Sequence, residues 1–185
     1  MSTPARPANP ALVLDTNVVL DLLLFSDPAT PALRTALDTG QLRWVATAVM
    51  REELRRVLAY PHIAARMDFH QRPADVLLAD YDAQVELMEV AVKAPYTCKD
   101  ADDQKFIDLA YQLGSASGAA LLLSKDKAVL KLKKRLAAHG VIVSTQLDYA
   151  ADTLVFCIRS APPHEQRQPE HSPPRGPAPT SGLSI

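Results

Sequence analysis

The sequence predicts an α/β fold built on a mostly parallel sheet of about five strands. Five short apolar runs lack strict polar alternation, which is typical of strands that are buried on both faces of a parallel sheet. Helical patterns separate these runs, and strands that alternate with helices favour right-handed crossover connections. With 185 residues, of which 48% are apolar, the chain is expected to form one domain with a substantial core.

The first half of the chain supplies two predicted strands and three predicted helices. Thr39 and Gly40 would end a helix that includes Pro31, and the helix after the second strand would stop before Pro61. Pro73 suits the first turn of the next helix, where a backbone N–H has no partner in any case. The predicted strands are 11–14 and 42–46, and the predicted helices are 31–37, 48–59 and 73–89.

The second half supplies three predicted strands and three predicted helices. Gly114 is a good C-terminal stop for one helix, and His139 and Gly140 would end the next. Ser144 would cap a last helix. The predicted strands are 90–92, 119–123 and 141–143, and the predicted helices are 103–113, 127–138 and 145–158.

Composition separates the folded part of the chain from its ends. From Ala161 onward the final 25 residues contain seven prolines and no aromatic residue. Such a segment buries too little apolar surface to offset the entropy lost on ordering. We therefore expect a flexible N-terminus at 1–9, a folded domain at 10–160 and a disordered, proline-rich tail at 161–185.

Charge and cysteine content exclude several classes of protein. A net charge of −1 gives no overall attraction to nucleic acid or membrane, so charge must be interpreted locally. Cys98 and Cys157 lie far apart and suggest no disulfide framework. The apolar stretch 18–25 contains Asp21 and is too short to span a bilayer, and no signal-peptide pattern is recognisable. We expect a soluble, cytoplasmic protein.

Four acidic residues are placed where a parallel sheet would gather them. Asp15 and Asp126 follow predicted strands, Glu53 lies in a helix after another strand, and Asp103 opens a helix. Ligands bind at the carboxyl ends of such strands. At 4 Å and an effective dielectric constant of about 20, each like-charged pair costs roughly 4 kcal/mol. The cluster therefore predicts a bound proton or a hard cation such as Mg²⁺ or Mn²⁺, and hence a metal-dependent enzyme.

Helix periodicity separates one adjacent pair of acids and leaves another open. At about 100° per residue, Glu53 lies at the border of the buried face of its helix, whereas Glu52 lies nearly opposite and is expected in solvent. Asp102 and Asp103 both project toward the core side of the next helix. One of them would be a ligand and the other a helix cap.

Other polar residues near these positions have two interpretations each. Asp15 would also serve as a helix cap, and Asn17 would either orient a ligand or begin a helix. Asp126 alone would fit a simple turn. Asp100 is expected in a loop, and Asp108 is expected to be solvated.

Two rival classes of protein are weaker. A phosphatase of the haloacid dehalogenase type also has an aspartate after its first strand, but it would need a second one where this chain has Asn17. A nucleotide-binding module would need a glycine-rich phosphate loop, and none is present among only six glycines. The five histidines show no zinc-binding spacing with either cysteine.

The acidic motifs occur in an order that resembles the PIN domain family, in particular the branch described as toxins of toxin–antitoxin systems. The resemblance covers roughly residues 10–150. It rests on Asp15-Thr16-Asn17, Glu53-Leu54, Asp103-Gln104-Lys105-Phe106 and Ser124-Lys125-Asp126.

That resemblance implies a three-layer α/β/α fold and a ribonuclease that depends on Mg²⁺ or Mn²⁺. Asp15, Glu53, Asp103 and Asp126 would then be the metal-binding, catalytic acids, with Ser124 supporting the site. The family pattern favours Asp103 over Asp102. The bound cations would activate a water molecule and stabilise the charge that develops as a phosphodiester bond breaks.

Partners follow from the same resemblance. The RNA would be gripped by a basic cluster, although a solvated helical face explains this cluster equally well. A cognate antitoxin would cover the site and insert a basic side chain among the acids. Homodimers are common among such folds, and a non-catalytic PIN-fold binding module is the alternative to an enzyme. The basic cluster comprises Lys125, Lys127, Lys131, Lys133, Lys134 and Arg135.

Overall fold

The computed structural model of the chain describes residues 9–147. Within this range the strands are β1 (Ala11–Leu14), β2 (Arg43–Thr47), β3 (Glu86–Met88), β4 (Ala120–Leu123) and β5 (Val141–Ser144). They form one sheet in the order β3-β2-β1-β4-β5, and every neighbouring pair is parallel. The predicted α/β class with a parallel sheet of five strands is confirmed.

Helices connect all of these strands. α6 packs on β1, β4 and β5, whereas α3 packs on β2 and on α1, α4 and α5, so the sheet is the middle of three layers. The helices are α1 (Thr16–Leu20), α2 (Pro31–Asp38), α3 (Ala48–Leu58), α4 (Pro61–His70), α5 (Ala74–Gln84), α6 (Gln104–Ser117), α7 (Lys127–Leu130) and α8 (Lys133–Ala137), and a π-helical turn (Asp21–Phe25) continues α1. No helix in the described part of the chain is long and apolar enough to cross a membrane.

The two central strands determine where the functional residues lie. β1 and β4 are buried along their whole length, and their register pairs Leu14 with Leu123. The N–H of Asp15 donates to the carbonyl oxygen of Leu123 (3.0 Å), which extends the ladder by one residue. The residues that follow both strands are therefore held at the same level of the sheet edge.

The third predicted strand is wrong in position. Residues 90–92 lie outside the sheet, where Val90 and Val92 are 67% and 80% exposed. α5 ends at Gln84 instead of residue 89, and Glu86–Met88 pairs with β2 through Val45 and Glu86. The β-branched residues at 90 and 92 suggested a strand, but strand pairing is decided by the neighbouring strand.

Several helix boundaries also differ from the prediction. Pro61 occupies the first turn of α4, a helix that the sequence did not predict, so this proline starts a helix as well as ending one. A helix after Asp15 was one of the two interpretations of Asp15 and Asn17, and α1 is that helix, whereas the π-helical turn that continues it was not predicted. The predicted helix 127–138 is divided into α7 and α8 at Lys131 and Leu132.

Gly114 does not end α6, because the helix continues to Ser117 and stops at Gly118, whose φ is +76°. A Cβ atom on Gly114 would lie 2.5 Å from the carbonyl oxygen of His139 and 2.5 Å from a methyl group of Val141. This glycine therefore allows α6 to approach the start of β5.

The C-terminal predictions fall mostly beyond the described range. Ser144 is the last residue of β5, and residues 145–147 are not helical. The rest of the predicted helix 145–158, the predicted tail at 161–185 and the N-terminal residues 1–8 lie outside the described residues.

Candidate active site

Asp15 is buried at the carboxyl end of β1, with 1% of its surface exposed. One carboxylate oxygen accepts the N–H of Val18 (2.8 Å), which caps α1, and the other accepts the N–H of Lys125 (3.1 Å). Burial raises the pKa of Asp15, while hydrogen bonds from Ser124 and from these two amides oppose the increase. The two interpretations of Asp15 are compatible, since the same carboxylate caps a helix and lies at the sheet edge.

Asp126 follows the neighbouring strand, β4. Ser124 is fully buried, and its hydroxyl oxygen accepts the N–H of Asp126 (3.0 Å). The carboxylate of Asp126 in turn accepts the N–H of Ala128 and caps α7. Ser124 thus contacts both acids and holds the β4 end of the site together.

Asp103 precedes α6, and its carboxylate makes no capping hydrogen bond there. Partial burial raises its pKa to about 6, with further contributions from the negative charges of Asp126, Asp100 and Asp15. This carboxylate therefore lies within electrostatic reach of the acids on β1 and β4. Asp102 is exposed, and its N–H donates to the carboxylate of Asp100 (3.0 Å).

Glu53 on α3 reaches the same region from the other side. The hydroxyl of Thr16 donates to one of its carboxylate oxygens (2.6 Å), and the ammonium group of Lys105 pairs with the other. Glu52 is exposed and forms an ion pair with Arg55 (2.6 Å). The orientations of the two glutamates agree with the helix periodicity.

The oxygen donors match the preference of a hard cation. Asp15, Asp103 and Asp126 are carboxylates whose mutual repulsion a divalent ion would relieve. In residues 9–147, however, no three acidic, histidine or cysteine side chains are close enough together to hold one ion. The two carboxylate oxygens of Glu53 both have side-chain partners, namely Thr16 and Lys105.

A hydrogen-bond network that the sequence analysis missed holds the loop before Asp103. The side-chain amide of Gln104 donates to Asp108 (2.6 Å) and to the carbonyl oxygen of Tyr96 (3.0 Å), and its oxygen accepts the N–H of Cys98 (2.7 Å). Asp108 also accepts the N–H of Ala94 (2.8 Å). The expectation that Asp108 is solvated is therefore wrong. A Gln–Asp pair four residues apart on a helix was the available signal.

The basic residues on either side of Asp126 differ in their surroundings. The ammonium group of Lys125 lies 2.6 Å from a carboxylate oxygen of Asp21 and 3.3 Å from one of Asp27. Its charge is thus engaged within the fold. Asn17 is exposed at the start of α1. The other members of the basic cluster are exposed, as Lys125 is: Lys127, Lys131, Lys133, Lys134 and Arg135.

Comparisons with known proteins differ in what they show. Four chains of known structure match, among them the PIN domain of RRP44 from T. brucei, with 12% identity, 83% of each chain covered and a TM-score of 0.36. No curated protein sequence matches the chain. A family model described as a PIN domain matches residues 11–128, which is more than half of the sequence. The match includes all four acids and removes the haloacid dehalogenase alternative, and the chain belongs to the PIN domain family.

Proposed function

We propose that this PIN domain is a Mg²⁺- or Mn²⁺-dependent endoribonuclease that hydrolyses phosphodiester bonds, and that it is the toxin of a toxin–antitoxin pair. PIN domains are generally nucleases that use divalent metal ions, although some are inactive. The observation that carries the proposal for this chain is that β1 and β4 end side by side, where Asp15 accepts the N–H of Lys125 (3.1 Å), the residue before Asp126. Asp103 has a pKa of about 6 partly because Asp126 and Asp15 lie near it.

Each acid has a role that follows from its surroundings. Asp15, Asp103 and Asp126 would hold the metal, and Glu53 would complete the acidic set. When bound, the ion would supply an activated water molecule and a counter-charge for the phosphate. Asp15 and Asp126 are fixed by main-chain amides and Ser124, so their oxygens need little rearrangement before an ion arrives. Asp102 would only support the loop.

Substrate binding would use the exposed lysines next to the site. Lys127 begins α7, Lys131 lies in the turn between α7 and α8, and Lys134 belongs to α8. All three residues are exposed. Lysine contacts to phosphate position a nucleic acid without reading its sequence, so we expect binding that weakens strongly with salt. Lys125 would contribute less than these residues, because Asp21 and Asp27 neutralise it.

The test is an RNA cleavage assay with purified protein. We expect cleavage with Mn²⁺ or Mg²⁺, loss of cleavage with a chelator, and rates reduced by about 100-fold or more in Asp15→Asn and Asp126→Asn. Asp75→Asn, at an exposed position in the first turn of α5, is the matched control for loss of one carboxylate. Full activity in both site variants would refute the proposal.

A non-catalytic PIN-fold binding module is the second candidate. It is favoured by one observation, namely that no three candidate ligands are grouped around a common point in the described residues. This candidate predicts that RNA is bound and stays intact when Mn²⁺ is added. The cleavage assay therefore separates the two candidates directly.

The toxin role rests on the resemblance of the acidic motifs. A small antitoxin protein would bind over the acidic edge and place a basic side chain among the acids. A neighbouring gene that encodes a small DNA-binding protein would support this role. Co-expression of that protein should then suppress RNA cleavage, and unchanged cleavage in its presence would argue against the pairing.

A further inference from the structure

Lys105 makes contacts that the PIN-type chemistry proposed above does not use. Its ammonium group forms an ion pair with Glu53 and donates to the carbonyl oxygen of Asp102. The side chains of Lys105 and Glu53 are only 19% and 18% exposed. A partly buried pair of this kind is screened less by solvent than the pairs on the surface of the domain.

The other oxygen of Glu53 is also occupied. The hydroxyl of Thr16 donates to it at 2.6 Å, and Thr16 is held in place because it is buried at the start of α1. Two different parts of the fold, α1 and α6, therefore fix the carboxylate of Glu53 from both sides. In contrast, the carboxylate of Asp103 has no capping hydrogen bond. The charge of Lys105 also lowers the pKa of Asp103, but burial and the negative charges of Asp126, Asp100 and Asp15 outweigh it.

We propose that Lys105 is the built-in counter-ion of Glu53, which keeps this glutamate from coordinating the divalent ion and so weakens the affinity of the site for that ion. Asp15, Asp103 and Asp126 then carry ion binding, and Glu53 is a positioning residue. This inference rests on the proposed metal-dependent function.

The physical reason is competition between two cations for one carboxylate. An ion that recruited Glu53 would have to break its pairing with Lys105 and its hydrogen bond from Thr16. The freed ammonium group would then lie beside a divalent cation, and like charges at short distance repel each other. Both effects oppose coordination by Glu53 while Lys105 is present.

A role for Lys105 in gripping RNA phosphate is less consistent with its contacts. Its ammonium group is already used by Glu53 and Asp102, whereas Lys127 and Lys131 are exposed. If Lys105 did bind RNA, its replacement would weaken RNA binding and leave ion affinity unchanged.

The experiment measures Mn²⁺ binding to the full chain without RNA, by calorimetry or by the loss of the free-ion EPR signal. It is performed at pH 8, where Asp103 is ionised. We expect Lys105→Met to bind Mn²⁺ at least about threefold more tightly than the wild type. Lys93→Met removes one exposed positive charge elsewhere and should change the affinity by less than about twofold. Lys105→Gln provides a second uncharged variant whose affinity should change in the same direction.

A double variant separates release of Glu53 from a simple change in charge. If Lys105 acts by occupying Glu53, the gain from Lys105→Met should shrink when Glu53 is already Gln. An equal or larger gain in the Glu53→Gln background would overturn the inference, as would unchanged or weaker Mn²⁺ binding in both Lys105 variants. If neither the wild type nor the Lys105 variants bind Mn²⁺, the proposed metal site itself is refuted, and the inference with it.

Discussion

The side chain of Asp15 accepts a hydrogen bond of 3.1 Å from the main-chain N–H of Lys125, which lies 110 positions later in the sequence. This bond, together with the pairing of β1 and β4, joins the two strand ends from which Asp15 and Asp126 project. The backbone of the two central strands therefore fixes the positions of Asp15 and Asp126 relative to each other.

Replacing Asp15 should separate its structural role from its chemical role. Asp15→Ala removes the cap of α1 and the acceptor for Lys125, so we expect the free energy of unfolding to fall by about 1–2 kcal/mol. Asp15→Asn keeps one acceptor oxygen and should lose less stability while still abolishing RNA cleavage. Urea denaturation of both variants checks this, and equal stability of the two would contradict the capping role.

Because of Asp103, the free energy of unfolding should fall as the pH rises. A salt-bridged acid, whose pKa is lowered, has the opposite effect. The pKa of Asp103 is raised from 3.8 to about 6, so the folded chain binds a proton more tightly than the unfolded chain does. The resulting destabilisation is fully present above pH 6 and disappears as the pH falls from 6 to about 4. Without divalent ions, we expect Asp103→Asn to be more stable than the wild type by about 1–2 kcal/mol at pH 8 and equal to it near pH 4. Denaturation at both pH values tests the sign, and Asp75→Asn provides the control.

Activity should follow the same titration. At limiting Mn²⁺, RNA cleavage by the wild type should decline as the pH falls toward 6, because a proton on Asp103 competes with the ion for the carboxylate. Saturating Mn²⁺ should shift this decline to lower pH. Asp103→Asn should reduce cleavage more than Asp102→Asn, since Asp102 is exposed and is not among the negative charges that raise the pKa of Asp103. The reverse order would show that the ligand was assigned to the wrong aspartate.

Gly114 should be less tolerant of substitution than Gly118. Alanine at 114 would gain helix propensity, but its Cβ atom would lie 2.5 Å from the carbonyl oxygen of His139, so we expect a loss of about 3 kcal/mol. Gly118→Ala meets no atom within 4 Å and should cost only about 1 kcal/mol because of its positive φ. Thermal or urea denaturation compares the two, and a smaller loss at Gly114 would show that β5 moves away easily.

Asp108 should act on the site through the loop it holds. Asp108→Ala leaves the N–H of Ala94 and the amide of Gln104 without their acceptor, so we expect a loss of about 1–3 kcal/mol. Asp108→Asn keeps an acceptor oxygen and should retain part of that stability. Amide exchange at Ala94 provides the direct measurement, and unchanged protection in the alanine variant would contradict this role.

The sequence predicted the structure well where neighbouring residues in the same strand or helix decide whether a side chain is buried. The continuous apolar runs of β1 and β4 identified the central strands, and helix periodicity distinguished Glu53 from Glu52. β3 was misplaced because pairing with β2 outweighs the strand propensity of residues 90–92.

Contacts between distant segments were not predictable in the same way. Lys105 pairs with Glu53 across 52 positions, and Gly114 meets a loop that follows it by 25 positions. Nothing in either local sequence specifies the partner. The Gln104–Asp108 pair is different, because it is a local contact whose spacing on one helix is visible in the sequence.

The strand order has a consequence for how the site comes into existence during folding. β1 is the first strand in the chain, yet it pairs with β4, so that Ala11 lies opposite Ala120. A growing chain leaves that side of β1 unpaired until more than a hundred further residues have been added, and long-range parallel pairing of this kind closes late. The mutually repelling carboxylates of Asp15 and Asp126 therefore stay apart until β4 has been added and has paired with β1.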